Sequence, residues 1–126
     1  MMRAALRADA LMEVVLGLVL ITASATGLLD ALDLPAADGV VVAFGAILLP
    51  FAVVLWLWAA SDDPVAGPVA LLAGVNALTG AALAVWILVR AEDAGNSGVA
   101  FVVVVAALLL GLALVQYRLT RLSSAA

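Results

Sequence analysis

Four long apolar stretches, separated by short polar segments, dominate this chain of 126 residues. They cover about residues 10–29, 39–60, 65–89 and 98–117. Each is close to the roughly 20 residues that an α-helix needs to cross the hydrocarbon core of a bilayer. The alternation typical of a membrane β-barrel is missing, and helices satisfy their backbone groups internally in lipid. The pattern therefore predicts an all-α fold with four transmembrane helices.

The polar connections between the stretches are short and rich in aspartate, proline and glycine. Helices joined by short loops pack as antiparallel neighbours. We therefore expect one membrane domain over residues 1–126, a four-helix transmembrane bundle with up-down-up-down topology.

Arginine placement predicts the orientation of this bundle. Arg3 and Arg7 precede the first stretch, Arg118 and Arg121 follow the last, and Arg90 is the fifth basic residue. Because basic residues concentrate on the cytoplasmic side, we expect both termini to be cytoplasmic. The predicted location is the inner (plasma) membrane of a bacterium, with multiple passes.

Composition narrows the function classes. The chain is 68% hydrophobic and only 11% charged, and it has no cysteine or histidine, so no disulfide, metal site or cofactor is expected. Nine acidic against five basic residues argue against nucleic acid, and no catalytic motif is present. The expected partners are the lipid bilayer and either further copies of the chain or a larger membrane complex.

Three residues form the candidate intramembrane polar site: Glu13, Asn76 and Thr79. Asn76 lies in the middle of the third stretch, where an amide should face the bundle, and Thr79 lies one turn further on. Asn76 either has a functional role, as a ligand contact or a hinge, or makes an interhelical hydrogen bond. Glu13 follows Asp9 by four residues on one helical face. It is either a proton-exchanging carboxyl inside the core or an interfacial residue paired with an arginine.

The charged residues at the tails suggest a second, structural cluster. A cytoplasmic ion-pair ring is predicted from Arg7, Asp9, Arg118 and Arg121, because positive-inside topology brings both tails to one membrane surface. Such a ring would stabilise the bundle without performing catalysis.

Several short motifs carry a resemblance to known proteins. They are Leu6-Arg7-Ala8-Asp9-Ala10, Leu32-Asp33-Leu34-Pro35, Phe51-Ala52-Val53-Val54-Leu55-Trp56, Asn76-Ala77-Leu78 and Gln116-Tyr117-Arg118. With these motifs the chain resembles the uncharacterised small four-helix integral membrane proteins of GC-rich bacteria, which often carry tryptophan where Thr79 stands. The resemblance implies a fold and no particular activity.

A second resemblance rests on Ala10-Leu11-Met12-Glu13-Val14-Val15. This segment is similar to the carboxylate-bearing first helix of the small multidrug resistance exporters. The resemblance implies that Glu13 is a proton and cation site, although Arg3, Arg7 and Asp9 indicate a position nearer the membrane edge than an exporter needs.

Three functions follow as hypotheses. The first is a non-enzymatic accessory or scaffold protein that works by helix packing. The second is an oligomeric, proton-coupled small-molecule transporter that uses Glu13. The third is an intramembrane enzyme or a lipophilic-ligand binder around Asn76.

Overall fold

The computed structural model describes residues 1–125, which form helices joined by short connections. The helices are α1 (Met2–Thr26), α2 (Leu28–Leu32), α3 (Asp38–Ala60), α4 (Ala66–Arg90) and α5 (Asn96–Ser124), with a 3₁₀ turn at Ala91–Asp93. No strand occurs within these 125 residues. The prediction of an all-α fold is confirmed.

Three segments are long and apolar enough to cross a membrane. They are Asp38–Ala60, Ala66–Asp93 and Asn96–Ser124. Helix α1 is not among these three, and its first half carries four charged side chains, those of Arg3, Arg7, Asp9 and Glu13. Three helical segments of the described chain are therefore compatible with a membrane protein.

The first helix differs from the expected stretch at 10–29. It begins at Met2, because alanine, leucine and arginine favour helix through the charged segment. It ends at Thr26, because Gly27 takes a φ of 75°, a left-handed conformation that glycine adopts readily and that ends helices. Residues 28–32 then form the separate short helix α2.

Helices α1 and α3 form one antiparallel hairpin, which we call the first hairpin. Gly17 and Gly45 face each other at its centre, where a Cβ on Gly17 would lie 2.8 Å from the Gly45 carbonyl oxygen. A Cβ on Gly45 would lie 3.0 Å from the Gly17 carbonyl oxygen. The two backbones therefore approach closely, as small residues allow in membrane helices.

The first hairpin is closed at one end by Arg3. Its guanidinium donates hydrogen bonds to the carbonyl oxygens of Trp58 (3.4 Å), Ala59 (3.3 Å) and Asp63 (3.1 Å), and also to that of Ser61. The last carbonyl groups of a helix have no partner within it, and a cation is favourable there. Arg3 therefore caps the C-terminus of α3.

Helices α4 and α5 form the second hairpin. At its centre a Cβ on Gly80 would lie 2.9 Å from Leu110 Cγ and 3.1 Å from the Ala106 carbonyl oxygen. Asn76 and Gln116 contact each other nearer the end of the hairpin where α4 begins and α5 ends. Since residue numbers fall along one helix as they rise along the other, this pair is also antiparallel.

The two hairpins join at both ends of the molecule. At the end that holds Arg3 and the α3–α4 connection, a buried apolar core includes residues of α1, α3 and α4, namely Leu6, Ala10, Ala52, Leu55, Ala59, Val69 and Leu72. At the opposite end the Gly95 amide donates to the Asp33 carbonyl oxygen (3.0 Å), and Gly98 packs directly on the Leu32 carbonyl. This apolar cluster thus lies towards the Arg3 end, while further buried apolar side chains such as Ala23, Ile87 and Val102 lie towards the other end.

Candidate functional site

The candidate site is a buried polar cluster of three side chains from three helices: Asp9 of α1, Asn76 of α4 and Gln116 of α5. Asn76 Nδ2 donates to Asp9 Oδ2 (2.9 Å) and to Gln116 Oε1 (3.1 Å). Gln116 Nε2 donates to the same Asp9 Oδ2 (2.7 Å). Asp9 and Gln116 are 0% exposed and Asn76 is 2% exposed. The three side chains therefore bond to one another and are closed off from their surroundings.

Helix geometry explains why these residues meet. Arg3 lies at the end of α3, and Asp9 is six residues further along α1, roughly 9 Å deeper at 1.5 Å per residue. Asn76 follows the start of α4 by about 15 Å, and Gln116 precedes the end of α5 by about 12 Å, on the same rise. Antiparallel packing brings these three depths to one level.

Glu13 lies one helical turn beyond Asp9 and is 5% exposed. Its Oε2 atom and Asp9 Oδ1 are the buried side-chain atoms without a hydrogen-bond partner among the described residues. A buried polar atom without a partner is unfavourable. The structure therefore buries the Glu13 side chain against other helices and leaves both carboxyl groups incompletely satisfied. Its depth in the membrane and its exchange of protons stay predictions.

Asn76 and Thr79, the other two candidate intramembrane residues, do not both belong to the polar cluster. Asn76 is a member of the polar cluster, whereas Thr79 is only partly buried and its hydroxyl is not in the cluster's hydrogen bonds. Asn76 thus makes the interhelical hydrogen bonds that were one of its two interpretations. Whether it also contacts a ligand stays a prediction.

The four residues of the predicted ion-pair ring do not pair in this structure. Asp9 is bonded to amides inside the bundle, and Arg7 Cζ lies 5.7 Å from the centre of the Trp56 ring. Arg121 Cζ lies 5.6 Å from the Tyr117 ring centre, and Arg118 is exposed. The ion pair found in residues 1–125 is Arg90–Asp93, at the other end of the molecule. Asp9 does not join a ring because its helix face turns inward towards α4 and α5.

Apolar clefts lie between the two hairpins, apart from the polar cluster. One of about 390 Å³ is formed between α1 and α5 by residues such as Leu16, Val19, Phe101 and Leu108. A second of about 230 Å³ also involves Phe44 and Trp86. Neither of them is lined by Asp9, Glu13 or Asn76. These clefts suit aliphatic groups, since their walls offer no polar contacts.

Gln116 is the site residue that sequence reasoning missed. It stands next to Tyr117 and Arg118, which indicate the return of the chain to water. A signal was available, because the apolar run Leu112 to Val115 leads directly into Gln116, and α5 continues beyond it with Leu119 and Leu122. A buried amide at the end of such a run needs an interhelical partner, as Asn76 does.

Comparison of the chain with protein-family models, with curated proteins and with solved structures finds no match. The candidate site therefore stands on its own geometry.

Proposed function

We propose that this chain is a four-span protein of the bacterial inner membrane, with both termini cytoplasmic, that acts as a non-enzymatic accessory or scaffold subunit. The observation that carries the proposal is the polar cluster itself. Asp9, Asn76 and Gln116 direct their hydrogen bonds to one another, and the neighbouring clefts are apolar. Polar groups used in this way hold helices together and leave none of the three facing a substrate.

The packing of α1 supports its role as the fourth span. Its start contacts the end of α3 through Arg3, and its middle contacts the middle of α3 through Gly17 and Gly45. Because α3 is long and apolar enough to cross a membrane, a helix packed along its length lies at the same depth. Asp9 then finds amide donors inside the bundle, which lowers the cost of a carboxylate in hydrocarbon.

Single-cysteine labelling tests this topology, since the natural chain has no cysteine. Ala4→Cys, Ser97→Cys and Ser124→Cys variants would be treated with a membrane-impermeant maleimide, first in intact spheroplasts and then after lysis. We expect Ser97→Cys to react in intact cells and the other two to react only after lysis. Labelling of Ala4→Cys in intact cells would mean that α1 does not cross, and the four-span proposal would fail.

The scaffold role is tested by the state of the protein after mild extraction. Much of the apolar surface of α3, α4 and α5 is exposed in the single chain, including Ile47, Leu78 and Leu108. Such a surface is covered by lipid or by further helices. Native mass spectrometry from nanodiscs should therefore find a defined homo-oligomer or a stoichiometric complex. A solitary monomer would contradict the scaffold role while leaving the topology intact.

Glu13 favours proton-coupled transport as a second candidate function, because its carboxyl is buried and Oε2 has no partner in the described part of the chain. In this proposal an oligomer encloses the pathway. Proton-driven flux of a small molecule into liposomes should be lost in Glu13→Gln and kept in Glu92→Gln, which changes an exposed loop residue. Equal flux in the two variants would reject Glu13 as the coupling residue.

A further inference from the structure

Two orphaned carboxyl oxygens lie on one face of α1. Asp9 Oδ1 and Glu13 Oε2 have no hydrogen-bond partner in the described residues, and their side chains are 0% and 5% exposed. Residues four apart on a helix are neighbours, with Cβ atoms about 6 Å apart. The two unsatisfied atoms therefore belong to adjacent side chains.

The surrounding helices offer these carboxyl groups no positive charge. On α1 the guanidinium of Arg3 is bonded to carbonyl oxygens of the α3 end, and Arg7 lies over Trp56. The charged residues of α3 and α4 are Asp38 and Arg90, at the ends of those helices away from Arg3. On α5, Arg118 and Arg121 point outward as exposed side chains. Two adjacent ionised carboxylates would thus repel without compensation.

The hydrogen bonds distinguish the two groups. Asp9 Oδ2 accepts two amide N–H groups, from Asn76 and Gln116, which is the environment of an ionised carboxylate. Glu13 receives no such donor, so its neutral form, which carries an O–H, suits its position. An O–H on Glu13 Oε2 directed at Asp9 Oδ1 would give both orphaned atoms a partner at once.

We propose that Asp9 and Glu13 form a single-proton binding site, in which the Glu13 carboxyl donates its O–H to the Asp9 carboxylate. The proton is taken up from water by the Glu13 carboxylate and returned to water on release, so no other bond changes. The pair then carries one negative charge, which the two amides of the cluster stabilise. This inference goes beyond the scaffold role and does not depend on transport.

Selective labelling makes the site measurable in the natural protein, because the chain has only two glutamates, Glu13 and Glu92. The protein would be labelled with ¹³C at the glutamate side-chain carboxyl, placed in lipid nanodiscs and studied by NMR at neutral pH. We expect the Glu13 signal at the position of a protonated carboxyl. Exposed Glu92 serves as the internal carboxylate reference. Both signals at the carboxylate position would overturn the proposal.

Two further measurements distinguish a proton shared by the pair from an isolated protonated Glu13 and from a bound metal cation. Asp9→Asn removes the carboxylate acceptor and should displace the Glu13 signal without moving the Glu92 signal. An unchanged Glu13 signal would show that the two groups do not interact, and the proposal would fall. Addition of Na⁺ or Ca²⁺ should leave the spectrum unchanged. A Glu13 signal that moves when either ion is added would show that the site binds a metal cation and not a proton, and the proposal would fail. A protonated Glu13 without any liposome flux would reject transport and retain this site.

Discussion

Two side-chain amides from different helices stabilise the buried carboxylate of Asp9. Asn76 and Gln116 each donate to Oδ2, and they also bond to each other. A carboxylate that accepts two N–H groups is stabilised far more than one left alone in an apolar medium. At the scale of single residues, the cluster is therefore a cooperative unit, and removing one member leaves the other two incompletely bonded.

Gln116→Leu should lower the free energy of unfolding by about 1–2 kcal/mol, because Asn76 and Asp9 both lose a hydrogen-bond partner in the buried cluster. Thr79→Val is the matched control, since Thr79 is partly buried in α4 but outside the cluster, and it should change stability little. Steric-trap or denaturant unfolding in bicelles measures both. Equal losses for the two variants would contradict the assigned cluster.

Arg3→Gln should also destabilise the protein, by about 1–3 kcal/mol, because the carbonyl groups at the end of α3 lose a charged donor. Arg121→Gln removes an exposed arginine that lies over the ring of Tyr117, and its expected cost is below about 1 kcal/mol. Amide hydrogen exchange should quicken in residues 57–61 of the Arg3 variant. Unaltered exchange there would exclude the capping role.

At the scale of helices, the apolar stretches at 39–60 and 65–89 coincide closely with α3 and α4. Their ends are predictable because aspartate, proline and glycine interrupt the apolar run on either side. The start of α1 was not predictable in this way, since the charged residues Arg3, Arg7 and Asp9 suggested a boundary near residue 10. Hydropathy registers the polarity of a side chain, whereas a helix continues through any residue that forms helix well.

Gly45→Ala tests the close contact between α1 and α3. A Cβ at this position would lie 3.0 Å from both the Gly17 carbonyl oxygen and Leu20 Cβ, so the hairpin must shift, at a cost of about 1–3 kcal/mol. Gly74→Ala is the control, because a Cβ there meets nothing within 4 Å. Its stability should equal or slightly exceed that of the natural protein. A harmless Gly45→Ala would mean that the two helices are not in close contact at this point.

At the scale of the whole molecule, two hairpins meet at their ends and leave apolar clefts between them. The all-α class was predictable from sequence because the apolar stretches are long and uninterrupted. The contact between Asp9 and Gln116 was not predictable from sequence, because it depends on the position of α1 along its axis relative to α5. That relative depth is set by contacts such as Arg3 with the end of α3 and Gly98 with Leu32. No local pattern in either helix encodes it.

The hairpins should also assemble from separate chains. Residues 1–63 and 64–126, expressed together and tagged on one half, should copurify, because each half contains one complete antiparallel pair and the core and polar cluster join them. The double variant Asn76→Leu with Gln116→Leu should weaken the copurification severalfold. The reference is Thr79→Val, which should not weaken it. If the double variant copurifies as well as the natural halves do, the apolar core alone holds the two hairpins together.

The polar cluster links the first helix of the chain to the last, and this affects synthesis of the protein. Asp9 leaves the ribosome more than a hundred residues before Gln116. In the proposed four-span arrangement, its carboxylate therefore has no hydrogen bond from Gln116 until translation is nearly complete. Arg3, by contrast, meets the end of α3 about halfway through. The nascent chain therefore closes its first hairpin early, whereas the polar cluster is complete only when the last helix arrives. A chain truncated before Gln116 would therefore keep the first hairpin and leave Asp9 with the amide of Asn76 alone.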